Sequence, residues 1–154
     1  MITQRMKYAL KALLVLADEK AGAGSALRIE EVAQRANVPK RFLEHILLDI
    51  RNAGVIASIR GRSGGYVLVK DPAQVSISEL LRLIDGPIAP LQCLSRHSYQ
   101  RCEDCADEES CRIRRVFAEI FYSYLVLIDS LTLADMLRSA AVQASVLQGA
   151  TAAR

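Results

Sequence analysis

The chain has no apolar run long enough to cross a bilayer, since Ile120 to Ile128 falls far short of the ~20 residues that a spanning helix needs. Its opening residues lack the apolar segment of a secretory signal, so a cytoplasmic location is expected, with no membrane partner. Tracts rich in glycine, proline or serine are missing, as is any internal repeat, which argues against a disordered chain and a solenoid. No Ser-His-Asp order, phosphate-binding loop or carboxylate pair beside a nucleophile occurs, so an enzyme is not expected. Cysteine is confined to Cys93, Cys102, Cys105 and Cys111. In a chain without a secretory signal, such clustering favours metal binding or redox chemistry over structural disulfides.

What is present is the composition of a folded protein: 154 residues, 51% hydrophobic and 24% charged. That length suits one compact domain with an appended interaction helix. The net charge of +3 is unevenly placed. Residues 1–70 carry 12 Lys and Arg against 6 Asp and Glu, whereas residues 71–154 carry 8 against 11. A positive half beside a negative half suits an N-terminal part that meets a polyanion, although an uneven but idle surface has the same statistics.

Met6, Leu10, Leu13, Leu14 and Ala17 recur at helical spacing behind Thr3, a suitable N-cap, and Gly22 and Gly24 close the segment. Ile29, Val32, Ala33 and Ala36 mark a short second helix. Pro39 opens a third, whose stripe of Phe42, Leu43, Ile46, Leu47 and Ile50 is expected to be buried and whose stop is Gly54. Val55 to Ile59 and Tyr66 to Val69 are β-branched runs around a basic, glycine-rich tip and read as a hairpin. Ser76 or Ser78 caps a fourth helix that ends at Gly86-Pro87. Beyond the cysteines, Val116, Phe117, Ile120, Phe121, Tyr124, Leu127, Ile128 and Leu131 form a stripe wider than a small domain needs for its own core. It suits pairing with a second copy across a two-fold axis, the alternative being that it folds back on its own domain.

Three helices and then a hairpin is the order of a winged helix-turn-helix. The expected fold is mainly α with a small β-hairpin wing, followed by a long C-terminal dimerisation helix. The divisions are residues 1–72 for the DNA-binding unit, 73–90 for a connecting helix and 91–111 for a cysteine sensor loop, then 112–137 for the dimer helix and 138–154 for a tail.

Lys40, Arg41, Glu44, His45 and Arg51 occupy positions of the third helix that its apolar stripe does not use. Arg41 suits guanine edges or phosphate, Glu44 the amino group of cytosine, and His45 either backbone or base. In the hairpin tip, Arg60 and Arg62 suit a narrow minor groove, and the N–H groups of Gly64 and Gly65 suit phosphates. Arg28 and Ser63 complete the candidate DNA contacts. Each residue also has a plainer reading, as a solvated charge, a Glu44 pair with Arg41 or Lys40, or a turn glycine.

These segments resemble the bacterial winged-helix regulator family that includes the iron-sulfur cluster assembly regulator IscR, the nitric-oxide-sensing repressor NsrR and the rhizobial iron regulator RirA. The likeness rests on Thr3-x-x-Met6-Lys7-Tyr8-Ala9-Leu10-x-Ala12-Leu13, Pro39 to Leu47, Arg60-Gly61-Arg62-Ser63-Gly64-Gly65-Tyr66, and the cysteine segment before a helix ending near Leu133-Ala134-Asp135. The resemblance implies a homodimer on palindromic double-stranded operator DNA, with Pro39 to Asn52 as the recognition helix. It implies base contacts from Arg41, Glu44 and His45, and a wing contact from Arg60. It further implies transcription regulation set by an iron-sulfur cluster, 2Fe-2S or 4Fe-4S, that senses iron, oxygen, nitric oxide or redox state.

The cysteine spacing is Cys-x8-Cys-x2-Cys-x5-Cys, with Glu103, Asp104, Asp107, Glu108 and Glu109 interspersed. Thiolates suit iron-sulfur clusters and zinc alike, and a thiol-disulfide switch or no cofactor at all is a further reading. Family members use three cysteines, so Cys102 and Cys105 compete for the middle place. The histidine that completes coordination in the IscR branch is here Arg114, which leaves the extra cysteine, His97, a partner residue or solvent as the fourth ligand. An electron-transfer protein would have no use for the basic helix and wing.

Overall fold

The computed structural model describes residues 2–139. Thr3 accepts the Met6 N–H on its hydroxyl and so starts helix α1 (Gln4–Ala21), which buries Met6, Ala9, Leu10, Leu13, Leu16 and Ala17 at three- and four-residue steps. Helix α2 (Ile29–Ala36) begins where Glu31 accepts the Arg28 N–H at 2.7 Å, and Asn37, in the left-handed region at φ 50°, ends it. Pro39 is the N-cap of helix α3 (Lys40–Asn52), one position before the helix proper. Its fixed φ sets the sharp corner between α2 and α3.

The strands β1 (Ile56–Ile59) and β2 (Gly65–Leu68) pair antiparallel, with Ile56 opposite Leu68 and Ile59 opposite Gly65. Leu27 adds a third, one-residue rung: its N–H donates to Tyr66 at 3.0 Å and its carbonyl accepts from Tyr66 at 2.7 Å. The wing is thereby fastened to the residue just ahead of α2. Of the two candidate caps, Ser76 starts helix α4 (Ile77–Asp85), and Gly86 at φ 88° ends it. The segment to the cysteines contains one short 3-10 turn, Gln92–Leu94, before helix α5 (Arg112–Ser130).

The expected dimer helix over 112–137 is interrupted. Leu131 is extended, and Thr132 pairs with Ser76 before residues 133–139 become helical again. The cause is a local cap: both the N–H and the hydroxyl of Thr132 donate to Asp135, at 2.8 and 2.6 Å. That bonding holds the Asp135 carboxyl down to about 2. The tail expected over 138–154 lies almost wholly outside the described residues.

One apolar cluster joins α1, α2, α3, the wing base and α4 to Cys93, Leu94, Phe121, Leu125, Ile128 and Leu133. The reading unit and the cysteine segment therefore share a core, and a displacement of α5 is felt by close-packed side chains rather than by a loose linker. Arg5 ties α1 to α4 and α3, donating to the Ile84 carbonyl at 3.0 Å and pairing with Asp49.

Candidate nucleic-acid interface and cysteine loop

Helix α3 turns Leu43, Ile46, Leu47 and Ile50 inward and leaves Arg41, Glu44, His45 and Arg51 exposed on the opposite side. Leu48 and Asn52 share that exposed face at helical spacing, although composition gave no reason to single them out. Phe42, expected in the buried stripe, is instead 44% exposed. Among the described residues Arg41, Glu44, His45 and Arg51 enter no salt bridge, so the pairing of Glu44 with Arg41 or Lys40 does not form.

Two basic residues are engaged within the fold. Lys40 donates to Glu30 at 2.5 Å, a bond that raises the ammonium pKa and lowers the carboxyl, and that ties the first turns of α2 and α3 together. The Arg28 guanidinium donates to the Arg62 carbonyl at 2.8 Å and so braces the tip of the wing. Arg60, Arg62 and Ser63 are exposed at that tip, on either side of Gly61 at φ 111°.

The glycines in the tip have structural work. The Gly64 N–H donates to the Gly61 carbonyl at 3.0 Å, so it closes the turn instead of pointing at a ligand. A Cβ on Gly64 would lie 2.3 Å from the Ile59 carbonyl oxygen, and one on Gly65 would lie 2.3 Å from that of Leu27. Only glycine permits those approaches.

In the cysteine segment all four thiols are free, with Cys93 buried, Cys105 and Cys111 half-buried and Cys102 exposed. Cys102 neighbours Cys93 and Cys105. Partial desolvation, a hydrogen bond with Cys93 and the adjoining charges of Cys93, Cys105 and Asp104 all push its thiol pKa up. Cys111 is the N-cap of α5, its sulfur accepting the Arg114 N–H at 3.4 Å. Donor chemistry thus fits a thiophilic metal group, and clustered sulfurs whose charges repel are those that a cation would relieve. Among the described residues, however, no three His, Cys, Asp or Glu side chains converge as a metal site, so a cofactor would have to be met by movement of the loop. His97 is exposed, and Arg114 leans toward Glu108 at 3.8 Å with its Nε buried and unpartnered.

Helix α5 carries two apolar faces. Phe121, Leu125 and Ile128 enter the core. Ile113, Phe117, Ile120, Tyr124 and Leu127 stand 38–68% exposed, at alternating steps of four and three residues. That is the spacing of a helix-helix seam. A cleft of about 440 Å³ opens beside it between Leu81, Pro87, Ile88, Phe117 and Tyr124.

Residues 2–139 match the Rrf2 family, described as iron-dependent transcriptional regulators. The chain belongs to that family. It is 69% identical, over 96% of its own length and 99% of the other's, to an rrf2-like HTH-type transcriptional regulator of Rhodobacter capsulatus. It is 32% identical to the HTH-type transcriptional regulator CymR of Bacillus subtilis, over 88% of each chain. The solved structure of CymR, named the global cysteine regulator of that organism, superposes with a TM-score of 0.72 at 29% identity, covering 90% of this chain and 97% of the other. An IscR from T. potens shares the fold, at a TM-score of 0.69 and 23% identity, over 91% of this chain and 88% of that one.

This Rrf2-family chain is therefore a transcription regulator of the DNA-binding winged-helix type. The family and these relatives are regulators, not enzymes, as the missing catalytic constellations suggested. Among the described residues no helix is long and apolar enough to cross a membrane.

Proposed function

We propose that the protein is a cytoplasmic homodimer that grips palindromic operator DNA with two copies of α3 and the wing, and that a cofactor held by the cysteine loop sets the grip. The observation that carries the DNA reading is the open polar face of α3, where Arg41, Glu44, His45 and Arg51 stand exposed and without ion pairs among the described residues. Arg41, Glu44 and His45 read base edges in the major groove, and Arg51 meets phosphate. Arg60 and Arg62 enter the adjacent minor groove with Ser63 on the backbone. Lys40 and Arg28 serve mainly as braces, and Gly64 and Gly65 shape the tip.

The exposed seam of α5 supports the homodimer. Two copies related by a two-fold axis present two α3 helices at a fixed separation, which is why the operator is palindromic.

An iron-sulfur cluster, 2Fe-2S or 4Fe-4S, would when bound supply an iron-dependent centre responsive to oxygen, nitric oxide or redox state. Cys93, Cys111 and one of Cys102 and Cys105 would hold it, and the family's description as iron-dependent favours this choice. Cys111 caps α5 and Cys93 sits in the buried turn packed on the same helix, so closure of residues 93–111 around the sulfurs moves the first turn of α5. Through the seam, that shift changes the separation of the two α3 helices, and half-site spacing tolerates little error. Four free thiols within residues 93–111, together with the likeness to CymR, support a thiol-disulfide switch as the second reading.

Anaerobic purification followed by absorption spectroscopy and assay of iron, sulfide and zinc tests the cofactor. A coloured protein that loses its chromophore in Cys111→Ala and binds DNA differently without it is expected. A colourless zinc protein would replace the cluster with zinc, and DNA binding that ignores the loop's state would remove the sensing claim.

A further inference from the structure

Phe42 departs from the pattern of its helix. Four of the five residues expected in the buried stripe of α3 lie in the core, while Phe42 stands 44% exposed in the first turn. Two contacts account for its place. The Tyr8 ring of α1 lies 5.7 Å away, tilted by 43°, and the Arg41 guanidinium carbon lies 4.8 Å from the centre of the Phe42 ring.

The Arg41 contact is not what helix geometry provides by default. Neighbouring residues on a helix point about 100° apart and do not face each other. The Arg41 side chain has therefore folded sideways onto the ring, where the electron-rich face attracts the cation. Among the described residues the Arg41 guanidinium enters no salt bridge. Its N–H donors, which lie in the plane of the group, are thereby left for the O6 and N7 acceptors of guanine or a phosphate. Tyr8 is partly buried and packs against the core cluster, so the ring behind Phe42 is held by close-packed side chains.

We propose that Phe42, backed by Tyr8, is a positioning residue for Arg41 and thereby a determinant of sequence discrimination, resting on the DNA-reading role given to α3 above. An unsupported arginine at a helix start samples many rotamers and loses that freedom on binding. The aromatic stack holds the fork near its working direction beforehand. The effect falls on the specific complex, because phosphate attraction in the non-specific one does not require an oriented fork.

The test uses the full-length protein and a duplex that it selects from a random-sequence pool, with a shuffled duplex as reference. Phe42→Leu keeps apolar bulk, and its thermal unfolding is checked against the wild type. Affinity for the selected duplex should fall about two- to fivefold, the worth of an exposed cation-π contact. Affinity for the shuffled duplex and the salt slope should stay the same, and Phe42→Tyr should restore discrimination. In an Arg41→Ala background, Phe42→Leu should have no further effect. If Phe42→Leu lowers affinity equally in that background, weakens both duplexes alike or changes nothing, the stack has no positioning role. If Arg41→Ala itself discriminates as the wild type does, the base-reading role of Arg41 falls first and the stack with it.

Discussion

Replacing Gly65 by alanine would put a methyl carbon 2.3 Å from the Leu27 carbonyl oxygen, 2.4 Å from the Leu27 carbonyl carbon and 2.9 Å from the Arg28 nitrogen. All three are backbone atoms, so Leu27 and Tyr66 must part. Their two hydrogen bonds, 3.0 and 2.7 Å long, are then lost. At ~0.5–1.5 kcal/mol each, the loss amounts to about 1–3 kcal/mol. For a chain of this size that lowers the unfolding midpoint by about 2–12 °C. The same displacement breaks the 2.8 Å bond from Arg28 to the Arg62 carbonyl and moves Arg60 and Arg62 away from the groove, so DNA affinity should fall as well. Thermal unfolding followed by circular dichroism and anisotropy with a labelled duplex read the two effects. A Gly65→Ala protein that melts and binds like the wild type would refute the claim that Leu27 fastens the wing.

Ile120→Glu places a carboxylate in the middle of the α5 seam at a position 62% exposed, so the protomer should still fold. Sedimentation velocity should show a monomer, and DNA affinity should drop by about 100-fold as the second grip is lost. Arg60→Ala removes from each protomer one cation lodged in the minor groove between the phosphate strands and should flatten the salt dependence of binding by about two logarithmic units per unit of log salt. Asp135 has a folded pKa of about 2, below the ordinary value near ~4, so its carboxylate stabilises the fold above about pH 4 and that support fades as pH falls toward 2. Asp135→Asn should accordingly be less stable at neutral pH and should lose this acid-sensitive part, as read by unfolding across a pH series.

The helix boundaries of the reading unit were legible because capping chemistry is local. Thr3, Pro39 and Ser76 start helices where their side chains or fixed φ require it, and Gly86 stops one. The position of the wing was legible from two β-branched runs around a glycine-rich tip, but its fastening was not, since Leu27 lies far from Tyr66 in sequence and carries no strand pattern. Phe42 was misplaced because helical spacing counts an aromatic as a core residue, whereas its ring pairs with Tyr8 and Arg41 at the surface. The break after Ser130 had a readable signal in Thr132-x-x-Asp135, a helix start in the middle of an apolar stripe. Arg28 and Lys40 read as free cations because their partners, Arg62 and Glu30, are brought close only by the fold.

The most direct measurement is the affinity of the purified protein for duplex DNA across a salt series, with its mass in solution determined on the same sample. Arg51, Arg60 and Arg62 from two protomers predict a dimer whose binding weakens with a log-log slope of about −5. A monomer that ignores duplex DNA at low salt in every metal and redox state would contradict the account.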